Sequence, residues 1–377
     1  MGKQNAVPAP GDAGSGDAGG GCDVGLDVSG ALEEGANRPP HAESGVRKFF
    51  AGKNVFITGG SGLVGKVLIE KILRDCPEVG HIYVLLRSSK KTKFDAHQRL
   101  HRDVLASPCF DHLRQIWPSF AKQCVAVQGD VGAPRMGMNN ADYEAVCRHC
   151  SIVLHCAATV KFNEHLETAC RINIDSIDYL LQLCSRLRSL HALVHVSTAY
   201  VNAPDLSGVM IREERRRLSV DYRRVRSDVA AMSHDAVTEA TPRILRESGG
   251  FPNTYCLTKC IGKQLLNSHH RVTMHINTRA VTFENIHLGE HVLLEHLEKR
   301  KKENKTTLPC AILRPSIVTC AMNTPVPGWM DSLLGPAGLV VAVALGALHV
   351  APGNGDLGTH SEKYFLHCLR ILNALVC

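Results

Sequence analysis

The sequence predicts an α/β fold, a doubly wound parallel sheet of the Rossmann type, on three observations. Strand-length apolar runs alternate with helical patterns, as right-handed β-α-β crossovers require. The first run stops at glycines placed three apart and passes at once into a helix. Every polar motif in the chain follows the end of such a run, where open α/β sheets hold their ligands.

The first strand is Val55–Ile57, followed by Gly59, Gly62 and Gly65 and by a helical pattern of Val67, Leu68, Ile72 and Leu73. A strand, a tight turn and a helix in that order present free N–H groups and a partial positive charge to a pyrophosphate. The loop therefore points to a dinucleotide. The second strand, Ile82–Leu86, ends at Arg87, with Ser88, Ser89, Lys90, Lys91 and Lys93 beyond it. A site for NAD places a carboxylate near this strand end, whereas a 2′-phosphate calls for cations and hydroxyls. No Asp or Glu stands there, so NADP(H) is expected, with Arg87 as its main partner; Lys90 to Lys93 fit a solvated basic loop equally well.

A charged helical stretch, Asp95–Leu105, leads to a third strand, Cys124–Gln128, ending at Gly129-Asp130-Val131. The fourth strand, Ser151–Cys156, ends at Ala157-Ala158-Thr159-Val160. A helix around Ala169–Leu187 precedes the fifth, Ala192–Val196, which ends at Ser197-Thr198-Ala199-Tyr200. The sixth, Cys310–Leu313, ends at Arg314-Pro315-Ser316.

At 377 residues the chain accommodates one large α/β domain with additional segments. Its net charge of +7 is spread out and needs no nucleic acid partner. Fifteen cysteines without regular spacing suit reduced thiols in a cytosol-facing protein. Cys147 and Cys150 form the only Cys-x-x-Cys and lack a second ligand pair, so they are expected to pack and no metal is expected. Residues 1–45 are rich in Gly, Ala, Asp and Pro and are expected to be disordered, with folding from about Val46.

Tyr255-Cys-Leu-Thr-Lys259 places Lys259 one helical turn after Tyr255, on the same face. A nearby ammonium is expected to lower the phenol pKa, and a phenol so tuned can donate a proton to a carbonyl oxygen as hydride reaches the carbon. Thr198, or Ser197 beside it, supplies a hydroxyl for the same oxygen.

These residues together resemble an extended short-chain dehydrogenase/reductase. The longer stretches Phe49–Gly59, His155–Glu164, His195–Asn202, Pro252–Tyr255, Leu313–Val318 and Pro325–Trp329 resemble a fatty acyl-CoA reductase over roughly 46–348. The resemblance implies NADPH-dependent reduction of a long-chain acyl-CoA to a fatty alcohol, through an aldehyde. It gives the pyrophosphate to Gly59, Gly62 and Gly65, with Thr58, Ser61 and Leu63 in the same cofactor loop, and the 2′-phosphate to Arg87. It sets Asp130 and Val131 beside adenine, Ala157 and Ala158 along the cleft, and Pro315, Ser316 and Ile317 near the nicotinamide. Thr198, Tyr255 and Lys259 become catalytic, with Lys259 also touching the nicotinamide ribose. The family's full-length form implies a cytosol-facing site on the endoplasmic reticulum or peroxisomal membrane.

Two departures from the family stand out. His287–Leu294 repeats the helix start at Cys260–Leu266, so 260–286 reads as an insertion, as two alternative exons joined in one chain would give. From Val350 the text leaves the family's course, making 349–377 an atypical tail, and the substrate-binding region is expected to be small and incomplete. Leu333–Val350 is apolar but broken by Gly335, Pro336, Gly338 and Gly346; a substrate-facing helix is favoured over a membrane-surface contact. The basic Arg212–Arg217 and Arg223-Arg224 suit a solvated helix face better than CoA phosphates. Two other readings stay open: an extended reductase for a sterol or nucleotide-sugar carbonyl, and an inactive isoform that still binds nucleotide.

Overall fold

The computed structural model describes residues 45–204, 221–260, 310–315, 318, 321, 324–331 and 345. All of these belong to one compact unit, Ser44–Cys377; the other unit, Met1–Glu43, lies outside the described residues. So do residues 1–44 of the segment expected to be disordered over 1–45, Arg212–Arg217, residues 261–309 with all but the first residue of the insertion expected over 260–286, Ser316, Ile317 and nearly all of 332–377.

Six strands, β1 (Asn54–Thr58), β2 (Ile82–Leu86), β3 (Cys124–Gln128), β4 (Cys150–His155), β5 (Ala192–Val196) and β6 (Cys310–Leu313), form one sheet in the order β3-β2-β1-β4-β5-β6. Every pairing is parallel. The order reverses between β1 and β4, and a crevice for a ligand opens there, at the carboxyl ends of the strands.

Helices α1 (Gly45–Phe50), α2 (Leu63–Asp75), α3 (Ala96–Arg99), α4 (Asp111–Ile116), α5 (Asn140–His149), α6 (Leu166–Cys170), α7 (Ser176–Arg186), α8 (Tyr222–Ala231), α9 (His234–Glu247) and α10 (Thr254–Cys260) cover the sheet. The period-2 alternation of β1 divides the core between its faces. Phe56 joins one cluster with Ile177, Leu181 and Leu257. Val55 and Ile57 join the other with Leu68, Ile72 and Phe110. All three β1 side chains are fully buried, so each face loses a continuous apolar area to the interior, the main favourable term in folding.

The expected helix over 169–187 is broken: α6 passes through a π-helical segment, Arg171–Asp175, before α7. The extra residue per turn rotates the register and brings polar Asn173 inside, where it is buried. Cys147 and Cys150 are free and buried among apolar neighbours, as packing thiols. No described helix is long and apolar enough to cross a membrane.

Candidate active site

The glycine loop is shaped by close approach. A Cβ on Gly65 would lie 2.3 Å from the Gly59 carbonyl oxygen, and one on Gly59, which has φ +75°, would lie 2.7 Å from the Ala157 backbone nitrogen. Those two glycines let α2 and β4 press against the turn. Gly62 is different, because a Cβ there meets only the Gly59 oxygen, at 3.5 Å. Among the described residues nothing fills that space. Gly62 is also the N-cap of α2 and provides no side-chain cap, so the first N–H groups of the helix face an open cradle flanked by half-buried Ser61 and Leu63. A pyrophosphate fits that cradle.

Thr58 is fully buried beneath the loop. Its hydroxyl lies 2.8 Å from His155 Nδ1 and accepts from the Ala157 N–H at 3.3 Å, binding the end of β1 to the end of β4. Thr58 therefore shapes the cleft from below, and Ala157 and Ala158, both half-buried, line its β4 side. Arg87 is exposed at the β2 end, with its carbonyl held by Arg99 Nη1 at 2.8 Å. Asp130 is already engaged: its carboxylate accepts from Gly132 N–H at 3.0 Å and pairs with Arg171 at 3.4 Å, with Val131 half-buried alongside.

Thr198, Tyr255 and Lys259 converge. All three are buried, at 3%, 8% and 5% exposure. The Thr198 side chain lies beside the Tyr255 phenol and favours its ionised form, and it accepts from the Tyr200 N–H at 3.3 Å. Lys259 Nζ donates to the carbonyl of Val196, the last residue of β5, at 3.4 Å. Pro315 joins the same rim, its carbonyl accepting from Ala199 N–H at 2.9 Å and so extending the β5–β6 pairing past the strands.

One expectation needs correcting. The Tyr255 phenol is pushed up to about 12, not down; burial dominates, and the Thr198 hydrogen bond opposes it. The ammonium of Lys259 is directed instead at the ends of β4 and β5. There it lowers His155 and His195 further, although burial is the larger cause for both, and His155 falls to about 3. These histidines stack at 5.2 Å between ring centroids and are neutral at ordinary pH.

Four contributors escape a linear reading. His155 and His195 underlie the cleft from adjacent strands. Asn173 accepts from Thr159 N–H at 3.0 Å and donates to the Thr159 carbonyl at 3.3 Å and to Thr258 Oγ1 at 3.1 Å, so it ties the β4 exit to the Tyr–Lys helix. Its only sequence signal is an amide within an apolar helical pattern. Asp331 pairs with buried Lys66 of α2 at 3.0 Å, bringing the segment after Trp329 to the glycine loop.

Sheet order, glycine cradle and the hydroxyl–phenol–ammonium group define an extended short-chain dehydrogenase/reductase with a site for a nicotinamide cofactor. The male sterility protein NAD-binding model matches residues 57–280 and 288–360, and the chain belongs to that family. It is 33% identical over 325 residues to "Fatty acyl-CoA reductase wat" of Drosophila melanogaster, covering 84% of this chain and 53% of that protein. It is 32% identical over 305 residues to "Fatty acyl-CoA reductase 1" of Homo sapiens, covering 80% and 50%. The chain thus spans about half the length of these curated relatives. Its fold is similar to that of the terminal R domain from the myxalamid PKS-NRPS biosynthetic pathway, with TM-score 0.51 and 21% identity over 80% of this chain and 57% of that one.

Proposed function

We propose that the protein reduces a long-chain acyl-CoA to the fatty alcohol with NADPH, through an enzyme-bound aldehyde. The observation that carries this reading is the buried pairing of Thr198 with Tyr255, with Lys259 anchored one turn along at the end of β5.

When bound, the nicotinamide supplies hydride. Thr198 and Tyr255 bind the carbonyl oxygen, and Tyr255, protonated across the neutral range, gives it a proton as the carbon is reduced. The hemithioacetal so formed expels CoA as the thiol, and the aldehyde is held for a second proton donation at the same oxygen. Lys259 keeps the phenol's helix against the sheet and faces the cofactor ribose. Arg87 takes the 2′-phosphate, supported by the absence of any acid beside it at the strand end.

The acyl-chain reading rests on the loop after β4. Val160 and Phe162 are 55% and 52% exposed, and the Phe162 ring lies 5.7 Å from that of Tyr255. Apolar side chains exposed beside a reacting hydroxyl suit a hydrocarbon tail. The same proposal takes the protein to a cytosol-facing membrane surface, where such substrates partition. Following NADPH oxidation and free thiol together, with palmitoyl-CoA as substrate, tests it. Two NADPH consumed per CoA released is expected. One NADPH with no thiol, on a sterol or sugar ketone, defeats it, as does NADPH binding without thiol release.

A further inference from the structure

Away from the cofactor cleft, three metal-binding side chains meet where the β4 exit loop touches the start of α9. His165 precedes α6, Glu167 lies in its first turn, and His234 opens α9. One ligand atom from each lies within 4.8 Å of the others. Glu167 Oε2 is 3.7 Å from His165 Nδ1 and 3.5 Å from His234 Nδ1. A tetrahedral ion with bonds of about 2.0–2.1 Å sets its ligand atoms about 3.4 Å apart, close to both distances.

The protonation pattern agrees. His165 Nε2 lies 3.1 Å from the His234 carbonyl oxygen. A carbonyl only accepts, so Nε2 is the donor, and in the neutral tautomer that makes this bond Nδ1 is the nitrogen with the lone pair. That Nδ1 is buried and has no hydrogen-bond partner. Histidines that bind metals are oriented in this way, one nitrogen donating to the protein and the other free for the ion.

We propose that His165, Glu167 and His234 form a binding site for a divalent transition-metal ion of the zinc class. Two imidazoles, one carboxylate and an open fourth position suit that ion better than magnesium or calcium, which favour oxygen ligands. The two rings stack with centroids 3.7 Å apart and must splay for their lone pairs to converge. His234, 68% exposed at its side chain, is free to swing. Occupancy ties α9 to the loop that seats the catalytic helix, because the Glu164 carbonyl next to His165 accepts from Thr254 Oγ1 at 2.7 Å.

The test uses the metal-free full chain, with Co²⁺ as spectroscopic probe and Zn²⁺ in thermal unfolding. The wild type should bind one equivalent of Co²⁺ with the visible bands of a tetrahedral nitrogen/oxygen site, lose it to Zn²⁺, and unfold several degrees higher with Zn²⁺. His234→Ala and Glu167→Gln, both at exposed positions, should fold normally, weaken Co²⁺ binding by at least about tenfold and remove the Zn²⁺ stabilisation. Undiminished affinity in His234→Ala overturns the assignment. So does a spectrum dominated by thiolate-to-cobalt charge transfer, which would move the ion to the cysteines.

Discussion

The side chain of Thr198, at the exit of β5, is buried beside the phenol of Tyr255, in α10. Burial favours the protonated phenol, and hydrogen bonding to the threonine favours its conjugate base. The pair is therefore set to give up a proton and to steady the charge left behind.

Thr198→Val removes that bond while keeping the side chain's shape. It should lower kcat/KM for acyl-CoA by about 10²–10³-fold, as loss of one oxyanion-type donor does, with cofactor affinity little changed. Steady-state kinetics beside a fluorescence titration with NADPH separate the two effects.

Gly62 and Gly65 should respond differently to alanine. Gly65→Ala forces a Cβ against the Gly59 carbonyl and should lower the unfolding midpoint. Gly62→Ala meets no such obstacle among the described residues; it should leave stability nearly unchanged and weaken cofactor binding. Equal cofactor affinity in Gly62→Ala and wild type would remove the pyrophosphate from that cradle.

Arg87→Glu should weaken NADPH binding far more than NADH binding, because only the former carries the 2′-phosphate. Isothermal titration with both cofactors measures the ratio, and equal losses would release Arg87 from its role.

How far the site could be read from the sequence depended on how local its signals are. The strand runs and the glycine spacing are local, and β2, β3, β5 and β6 fall at the predicted bounds, with β1 and β4 within one residue. Tyr255 and Lys259 were legible because i, i+4 spacing fixes a shared helix face. The direction of the Tyr255 shift was not, since the spacing says nothing of how deeply α10 is buried or that Lys259 reaches the Val196 carbonyl. The Asn173 bridge and the His155–His195 stack were hidden for a related reason. Each depends on elements brought together across the sheet, and Asn173 on a π-helical turn that the apolar pattern does not announce.

The stacked histidines give stability a pH dependence. An unfolded histidine takes up a proton near 6.5, whereas folded His155 resists until about 3 and His195 is lowered as well. Between those values the unfolded chain binds the additional protons, so stability is full above 6.5 and is lost as pH falls. Unfolding free energies from denaturant titrations should decline below that point with a slope of about 1.4 kcal/mol per pH unit for each histidine. His155→Phe should reduce the slope, and an unchanged profile would contradict the buried neutral assignment.

The most direct measurement compares Tyr255→Phe with the wild type in two assays, NADPH binding and release of CoA from palmitoyl-CoA. The phenol's removal should cut turnover by about 10²–10⁴-fold, the range for loss of a general acid, while NADPH binds as before. Turnover within a few fold of wild type would show that the proton comes from elsewhere and would contradict the assignment of this site.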